Sequence, residues 1–164
     1  MTRVKFNQGL YIELPTGYRT IAKSDINSPF KAPRGKMREY PLQYFYEWSK
    51  EQDNIVIIKK SSGRGIEGIA GFRIEKRPKY GRVLNLEMLS RNSLVSSGGN
   101  VTKGLVDVAV RWLAPQLQVS TLLVESIEDL KDFYSEIGFR ETGEKFYDEY
   151  WGDIFIMKIE VNRP

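Results

Sequence analysis

Glu87 stands inside an otherwise apolar run, Asn85-Leu86-Glu87-Met88-Leu89. A carboxylate in such a strand either points from an exposed face or has a functional reason for burial. It is the candidate general base, acting through water, because the chain contains no histidine and no cysteine. Imidazole bases, thiol nucleophiles, disulfides and the usual zinc sites are thereby excluded, and no metal site is expected. Carboxylate, tyrosine, lysine, the amino terminus or water must carry any proton that moves. A second chemical feature is the stretch Lys31-Ala32-Pro33-Arg34-Gly35-Lys36-Met37-Arg38-Glu39-Tyr40, with Tyr44, Phe45, Tyr46 and Trp48 after it. Basic residues beside aromatics can grip phosphate and stack bases. The same residues equally describe a basic loop followed by a helix that buries its aromatics. Residues 1–82 hold 17 Lys and Arg against 8 Asp and Glu, whereas residues 83–164 hold 8 against 13. The basic half is either a surface for an anionic partner or an unevenly charged, solvated face.

The elements that must position these residues follow from periodicity. Length fits one domain with a real core, and 41% hydrophobic with 12% aromatic content argues against wholesale disorder. No apolar run approaches the roughly 18 residues that span a bilayer. Met1 to Lys5 does not lead into a signal-peptide core, so a cytoplasmic protein without membrane contact is expected. Val4 to Leu14 alternates loosely and predicts a first strand closed by Pro15-Thr16-Gly17, and residues 23–38 read as a loop. Pro41 opens a helix running to about Glu51. Strands are expected at Ile55 to Lys60, Ile66 to Glu75 and Arg82 to about Val95, an antiparallel meander because the connections are short. Helical spacing from Val101 to Trp112 is stopped by Pro115. Thr121 to Glu125 reads as a buried strand. Ser126 with Asp129 resembles a capping box opening a helix with the stripe Ile127, Leu130, Phe133, Tyr134 and Ile137, ended by Gly138. Phe139 to Glu144 and Asp153 to Val161 close the chain as a hairpin. The order predicts an α/β fold with a mixed, mostly antiparallel sheet flanked by helices.

The run Phe133-Tyr134-Ser135-Glu136-Ile137-Gly138-Phe139-Arg140-Glu141-Thr142-Gly143 resembles the late motif of the GCN5-related N-acetyltransferase (GNAT) superfamily, an aromatic–Tyr–x–x–x–Gly–Phe run followed by glycine. The resemblance covers residues 55–161 and implies a GNAT-like fold over a single domain, 1–164, with a variable part at 1–52 and a core at 53–161. It implies acetyl-CoA, or another acyl-CoA, as cofactor and an amine-bearing acceptor. The family's pyrophosphate helix matches Ser97-Gly98-Gly99-Asn100-Val101-Thr102-Lys103, where Ser97, Asn100 and Thr102 occupy the places of Arg/Gln, Gly and Gly/Ala. Helix N-termini attract phosphate, Gly98 and Gly99 allow close backbone approach, and Thr102 and Lys103 offer a hydroxyl and a charge. The alternative is a glycine-rich turn capped by Asn100 or Thr102. By resemblance, the backbone of Met88, Leu89 and Ser90, on to Asn92, pairs with the pantetheine arm, and Tyr134 protonates the departing sulfur. Tyr134 is otherwise a core aromatic of its stripe. Arg91, Lys31, Arg34, Lys36 and Arg38 are the candidate anion- or substrate-binding cations.

Leu89-Ser90-Arg91, Leu94-Val95 and Asn100-x-Thr102 also resemble phage-associated Mom-type DNA modification proteins. Three functions therefore stand: an amine N-acetyltransferase, a modifier acting on nucleic acid through the basic amino-terminal half, and an inactive GNAT-fold module acting through a protein partner. A homodimer is compatible with each. If the basic half grips DNA, duplex binding at low salt is expected to weaken steeply as salt rises, by about one power of salt concentration per phosphate contacted. A filter-binding salt titration checks this, and no binding at low salt ends the nucleic-acid reading.

Overall fold

The computed structural model of the chain describes residues 2–6, 10–33, 40–61, 65–95 and 100–161. Strands β1 (Thr2–Phe6) and β2 (Leu10–Leu14) pair as an antiparallel hairpin. A seven-stranded sheet comprises β3 (Tyr18–Thr20), β4 (Asn54–Ser61), β5 (Gly65–Arg77), β6 (Gly81–Arg91), β7 (Thr121–Ile127), β8 (Arg140–Asp148) and β9 (Gly152–Glu160). Their spatial order is β3-β4-β5-β6-β7-β9-β8. All neighbours are antiparallel except β6 and β7. The helices are α1 (Leu42–Ser49), α2 (Val101–Val108), α3 (Ala114–Gln116) and α4 (Lys131–Glu136), with a π-helical turn, Ala109–Leu113, joining α2 to α3. The mixed α/β architecture expected from the sequence is present. No helix among the described residues is long and apolar enough to cross a membrane.

Two apolar layers hold the sheet. Leu84, Leu86, Leu122 and Val124 point to one face and join Leu105, Leu113, Tyr134 and Ile137 from the helices, together with Ile12 and Leu14 of β2. Val56, Ile58, Ile69 and Met88 point to the other face and pack under Leu42 and Phe45 of α1. Each fully buried Leu, Ile or Phe contributes about 1.5–3 kcal/mol relative to exposure. On that second face, register places Arg73, Glu75 and Arg77 of β5 beside Asn85 of β6 and Glu125 of β7, since paired residues share a side.

Several local expectations are corrected. Val4 to Leu14 is two strands rather than one, because an alternating pattern has the same period on both arms of a hairpin. Residues 23–38 include a 3₁₀ turn at Lys23–Asp25, where Asp25 accepts from the Ala22 amide and holds Arg19 through two bonds of 2.7 and 2.6 Å. The strand expected to reach Val95 ends at Arg91. Pro115 does not stop its helix. The π-helical turn before it makes the Ala114 amide bond to the Ala109 carbonyl, five residues back, which lets the ring enter. Gln116 then bonds both backbone groups of Glu13, tying β2 to α3. Ser126 opens no helix. It is 1% exposed inside β7, opposite Phe155, and the helix begins after a 3₁₀ turn at Glu128–Leu130. Pairing with β9 overrides the local capping pattern.

Gly68 of β5 is where α2 touches the sheet. A Cβ there would lie 2.4 Å from Val101 Cγ1 and 3.2 Å from the Ser90 carbonyl oxygen. Gly68→Ala is therefore expected to destabilise the protein by about 1–3 kcal/mol, as overpacking does. Denaturant unfolding checks it, and an unchanged midpoint would mean that α2 is free to shift.

Candidate active site

Glu87 occupies a β-bulge. Gly71 pairs with Met88 and Phe72 with Leu86, so Glu87 is the extra residue of β6 with no partner on β5. Parallel pairing with β7 covers Leu84, Asn85 and Leu86 against Leu122, Leu123 and Val124, and goes no further. A bulge bends and twists its strand. Here the strands part on the carboxyl-terminal side of Leu86 and Val124. A cleft of about 250 Å³ opens in the gap, lined by Glu87, Met88, Leu89 and Ser90 from β6 and by Glu125 and Ile127 from β7. Tyr134 of α4, Tyr40 and Phe45 at α1, and Trp151 from the β8–β9 turn complete its wall.

Glu87 is an exposed residue, yet its carboxylate is set against Asn85, whose Nδ2 donates to Oε1 at 3.0 Å. Partial burial, and after it the charge of Glu75, push its pKa above the ordinary carboxylate value. The Asn85 hydrogen bond and the charge of Arg73 pull the other way. A carboxyl raised in this manner is moved toward the range useful to a base at neutral pH.

Tyr134 is placed by the end of α4. Gly138 has φ +114. Phe139 N–H donates to the Tyr134 carbonyl at 3.0 Å and Gly138 N–H to Ser135 at 3.2 Å, the two bonds of a Schellman motif. Edge-on rings of Phe133 and Phe139, 5.2 and 5.8 Å away, fix the phenol. Burial alone pushes its pKa up to about 12. Tyr134 is thus both a core aromatic and a cleft residue that keeps its proton at neutral pH.

The helix after β6 begins at Asn100, whose Oδ1 accepts from Lys103 N–H at 3.0 Å and from the Thr102 hydroxyl at 2.7 Å. The Thr102 hydroxyl expected to face a ligand is consumed in this cap, and Thr102 is 8% exposed. Lys103 pairs with Asp107 at 3.2 Å. The amides of Val101 and Thr102 have no partner among the described residues, as the first turn of a helix requires. Ser97, Gly98 and Gly99 lie outside the described residues, as do Arg34, Lys36 and Arg38. Arg91 ends β6 opposite Gly68, exposed and away from the cleft wall. Lys31 lines a separate hollow with Phe30 and Tyr40. Buried Asn92 ties that loop to β6, accepting from Lys31 N–H and donating to the carbonyls of Pro29 and Ile66.

Sequence reasoning missed Glu125 and Trp151. Glu125 sits in an apolar strand as Glu87 does, and that shared oddity was the signal available. Trp151 is held by its turn: Asp148 Oδ1 accepts from the amides of Tyr150 and Trp151 at 2.8 and 2.9 Å.

No family model and no curated protein matches the sequence. Solved structures do resemble the fold. A protein assigned to the GNAT family of acetyltransferases from Desulfovibrio desulfuricans superposes with a TM-score of 0.64 at 14% identity, covering 88% of this chain and 98% of that one. Spermidine/spermine N-acetyltransferase from Vibrio cholerae gives 0.61 at 14% identity over 87% and 91%. A chain of the NatC complex bound to Gag peptide and CoA gives 0.57 at 14% identity over 88% and 98%. The chain has the GNAT acetyltransferase fold. The Mom-type resemblance finds no support among these neighbours.

The phenol supplies a stability test. Unfolded, Tyr134 ionises near 10.0, and folded near 12. Between these values the unfolded chain has lost a proton that the native state keeps, so the contribution is fully present below 10 and lost as pH rises toward 12. Tyr134→Phe is expected to flatten that fall, read by denaturant unfolding at about pH 9 and about pH 11. An equally steep fall in the variant would assign it to other groups.

Proposed function

We propose that the chain is an acyl-CoA-dependent N-acyltransferase that moves an acetyl group to an amine by direct attack. The observation that carries this reading is the bulge at Glu87, because it opens the strands into a cleft whose wall holds both the Glu87 carboxylate and the Tyr134 phenol. Past Leu86 the β7-facing edge of Met88, Leu89 and Ser90 is free of pairing with β7. An extended amide-bearing arm fits such an edge by strand-like hydrogen bonding. The amides of Val101 and Thr102, without a partner among the described residues and at the positive end of α2, suit a pyrophosphate. With Thr102 and Lys103 engaged internally, what the described part of this segment offers a phosphate is its backbone amides.

Bound acyl-CoA supplies an activated acyl thioester, whose C–S bond is exchanged for the N–C bond of the amide product. The amine must lose its protons and the sulfur must gain one. Glu87, with its raised pKa, accepts a proton from the amine through water. Tyr134 holds its Oη proton at neutral pH and hands it to the leaving sulfur; solvent resets both groups, and one proton is released overall. The Vibrio cholerae neighbour acts on spermidine and spermine, which supports testing amines as acceptors.

Purified protein with acetyl-CoA and an amine panel, followed by thiol release, tests the reading. Tyr134→Phe is expected to lower kcat by about 10²-fold or more with little change in CoA affinity. Equal losses in both would give Tyr134 a packing role. Glu87→Gln is expected to depress activity and remove the acid limb of the pH profile. In the same variant, stability at neutral pH should rise. A carboxyl whose folded pKa is raised gives stability that is present below its ordinary value and lost as pH climbs through the folded one. An unchanged pH profile would remove Glu87 from the mechanism.

A further inference from the structure

Asn85 is the middle residue of the short parallel stretch. It pairs with Arg73 of β5 and with Leu123 of β7, so its backbone is held on both sides just before the strands part. Glu87 follows two residues on, where strand periodicity returns a side chain to the same face. Glu87 lines the cleft and Asn85 does not. The two side chains meet: Asn85 Nδ2 donates to Glu87 Oε1 at 3.0 Å. This bond links the firmly paired part of the sheet to the residue that the bulge leaves without a partner on β5.

Asn85 is 2% exposed, and its Oδ1 has no hydrogen-bond partner among the described residues. A buried amide ordinarily uses both of its ends. Here one end is committed to Glu87 and the other is idle, an arrangement that suits a neighbour whose protonation changes. A carboxylate needs a donor and a carboxylic acid needs an acceptor. A primary amide offers both about one broad, two-fold torsion. Turned over, Asn85 presents Oδ1 to the Glu87 O–H and puts Nδ2 where the idle oxygen was, so neither orientation loses a partner. The other groups facing Glu87 are Arg73 and Glu75 of β5, of opposite charge. Glu125 of β7, Tyr134 of α4 and Tyr40 beside α1 line the same cleft, and Glu125 is paired with Arg77 at 3.5 Å.

We propose that Asn85 is a positioning residue of the acyl transfer: its amide holds the Glu87 carboxylate in place as the base and, turned over, holds the carboxyl once it has taken the amine's proton. This rests on the N-acyltransferase reading and adds to that site a residue that acts only through Glu87. The proton passes from the amine through water to Glu87 and later to solvent. Asn85 gains and loses none; it exchanges a donated hydrogen bond for an accepted one.

The test begins with an NMR titration of the full-length protein without substrate. The Glu87 carboxyl signal, assigned by its loss in Glu87→Gln, and the Asn85 side-chain amide signals, assigned by their loss in Asn85→Leu, are expected to shift with one midpoint. An Asn85 amide indifferent to Glu87 ionisation overturns the proposal. In Glu75→Gln the joint response is expected to persist at lower pH, since a like charge is gone; its disappearance there would assign it to Glu75 and overturn the proposal. Asn85→Leu keeps the branched shape and removes the idle acceptor, so the fold is expected to survive. The carboxylate loses a donor, so the Glu87 midpoint and the acid limb of kcat/KM for thiol release move up together. On that limb kcat/KM is expected to fall by about tenfold, with little change in acetyl-CoA affinity. Asn85→Asp keeps the size and adds a like charge, which places its acid limb higher still. Wild-type midpoints and pH profiles in both variants, as a merely structural asparagine would give, overturn the proposal and leave the acyltransferase reading standing. Absence of thiol release in the unsubstituted protein overturns that reading instead, and the joint titration then decides alone whether Asn85 holds Glu87.

Discussion

Where β6 gains a residue relative to β5, at Glu87, it also stops pairing with β7. The two facts are coupled, because the extra residue turns the strand away from its parallel neighbour and leaves one backbone edge without a strand partner among the described residues. Such an edge is costly unless water or a ligand meets it. The rest of the sheet is arranged so that this one opening is tolerated. On its other side β6 keeps antiparallel pairing with β5 from Gly68 to Arg77, the register shifting at the bulge between Gly71 and Phe72. Beyond the gap, β7 is paired with β9 along its whole length, Thr121 to Ile127. The cleft is thus a split between two well-held halves rather than a loose region.

The elements around the split serve to hold its chemistry in place. α2 is seated through Gly68, so its first turn stays near the end of β6. α4 is closed by Gly138 and Phe139, which fixes the Tyr134 carbonyl and with it the ring. Asn92, fully buried and bonded to Pro29, Lys31 and Ile66, draws the loop before α1 against the same strand end. Glu87 and Tyr134 are consequently displaced in the same direction, each toward its protonated form, by a shared cause: loss of hydration at the cleft wall.

What the sequence disclosed was local. The stripe Leu130, Phe133, Tyr134 and Ile137 with its terminal glycine is a helix signature carried within a dozen residues, and the short connections of β4 to β6 leave little choice but antiparallel pairing. Glu87 was legible as a carboxylate out of character with its neighbours. The bulge that explains it was not, because a bulge belongs to a pair of strands and depends on how Gly71 and Phe72 are matched. Glu125 and Trp151 reach the cleft from β7 and from the β8–β9 turn, and only register brings them to Glu87. Ser126 and Pro115 misled for a related reason. The first is claimed by pairing with β9, and the second is admitted by a π-helical turn that no propensity announces.

The central claim is that the opened edge of β6 and the first turn of α2 form one binding surface for an acyl-CoA. Amide hydrogen exchange with and without CoA addresses it most directly, because it reads the backbone groups themselves. Slowed exchange is expected at Met88 to Arg91 and at Val101 to Lys103 on saturation with CoA, with little change in β1, β2 and β3. Unchanged exchange at both segments in millimolar CoA, or protection confined to another part of the molecule, would contradict the account.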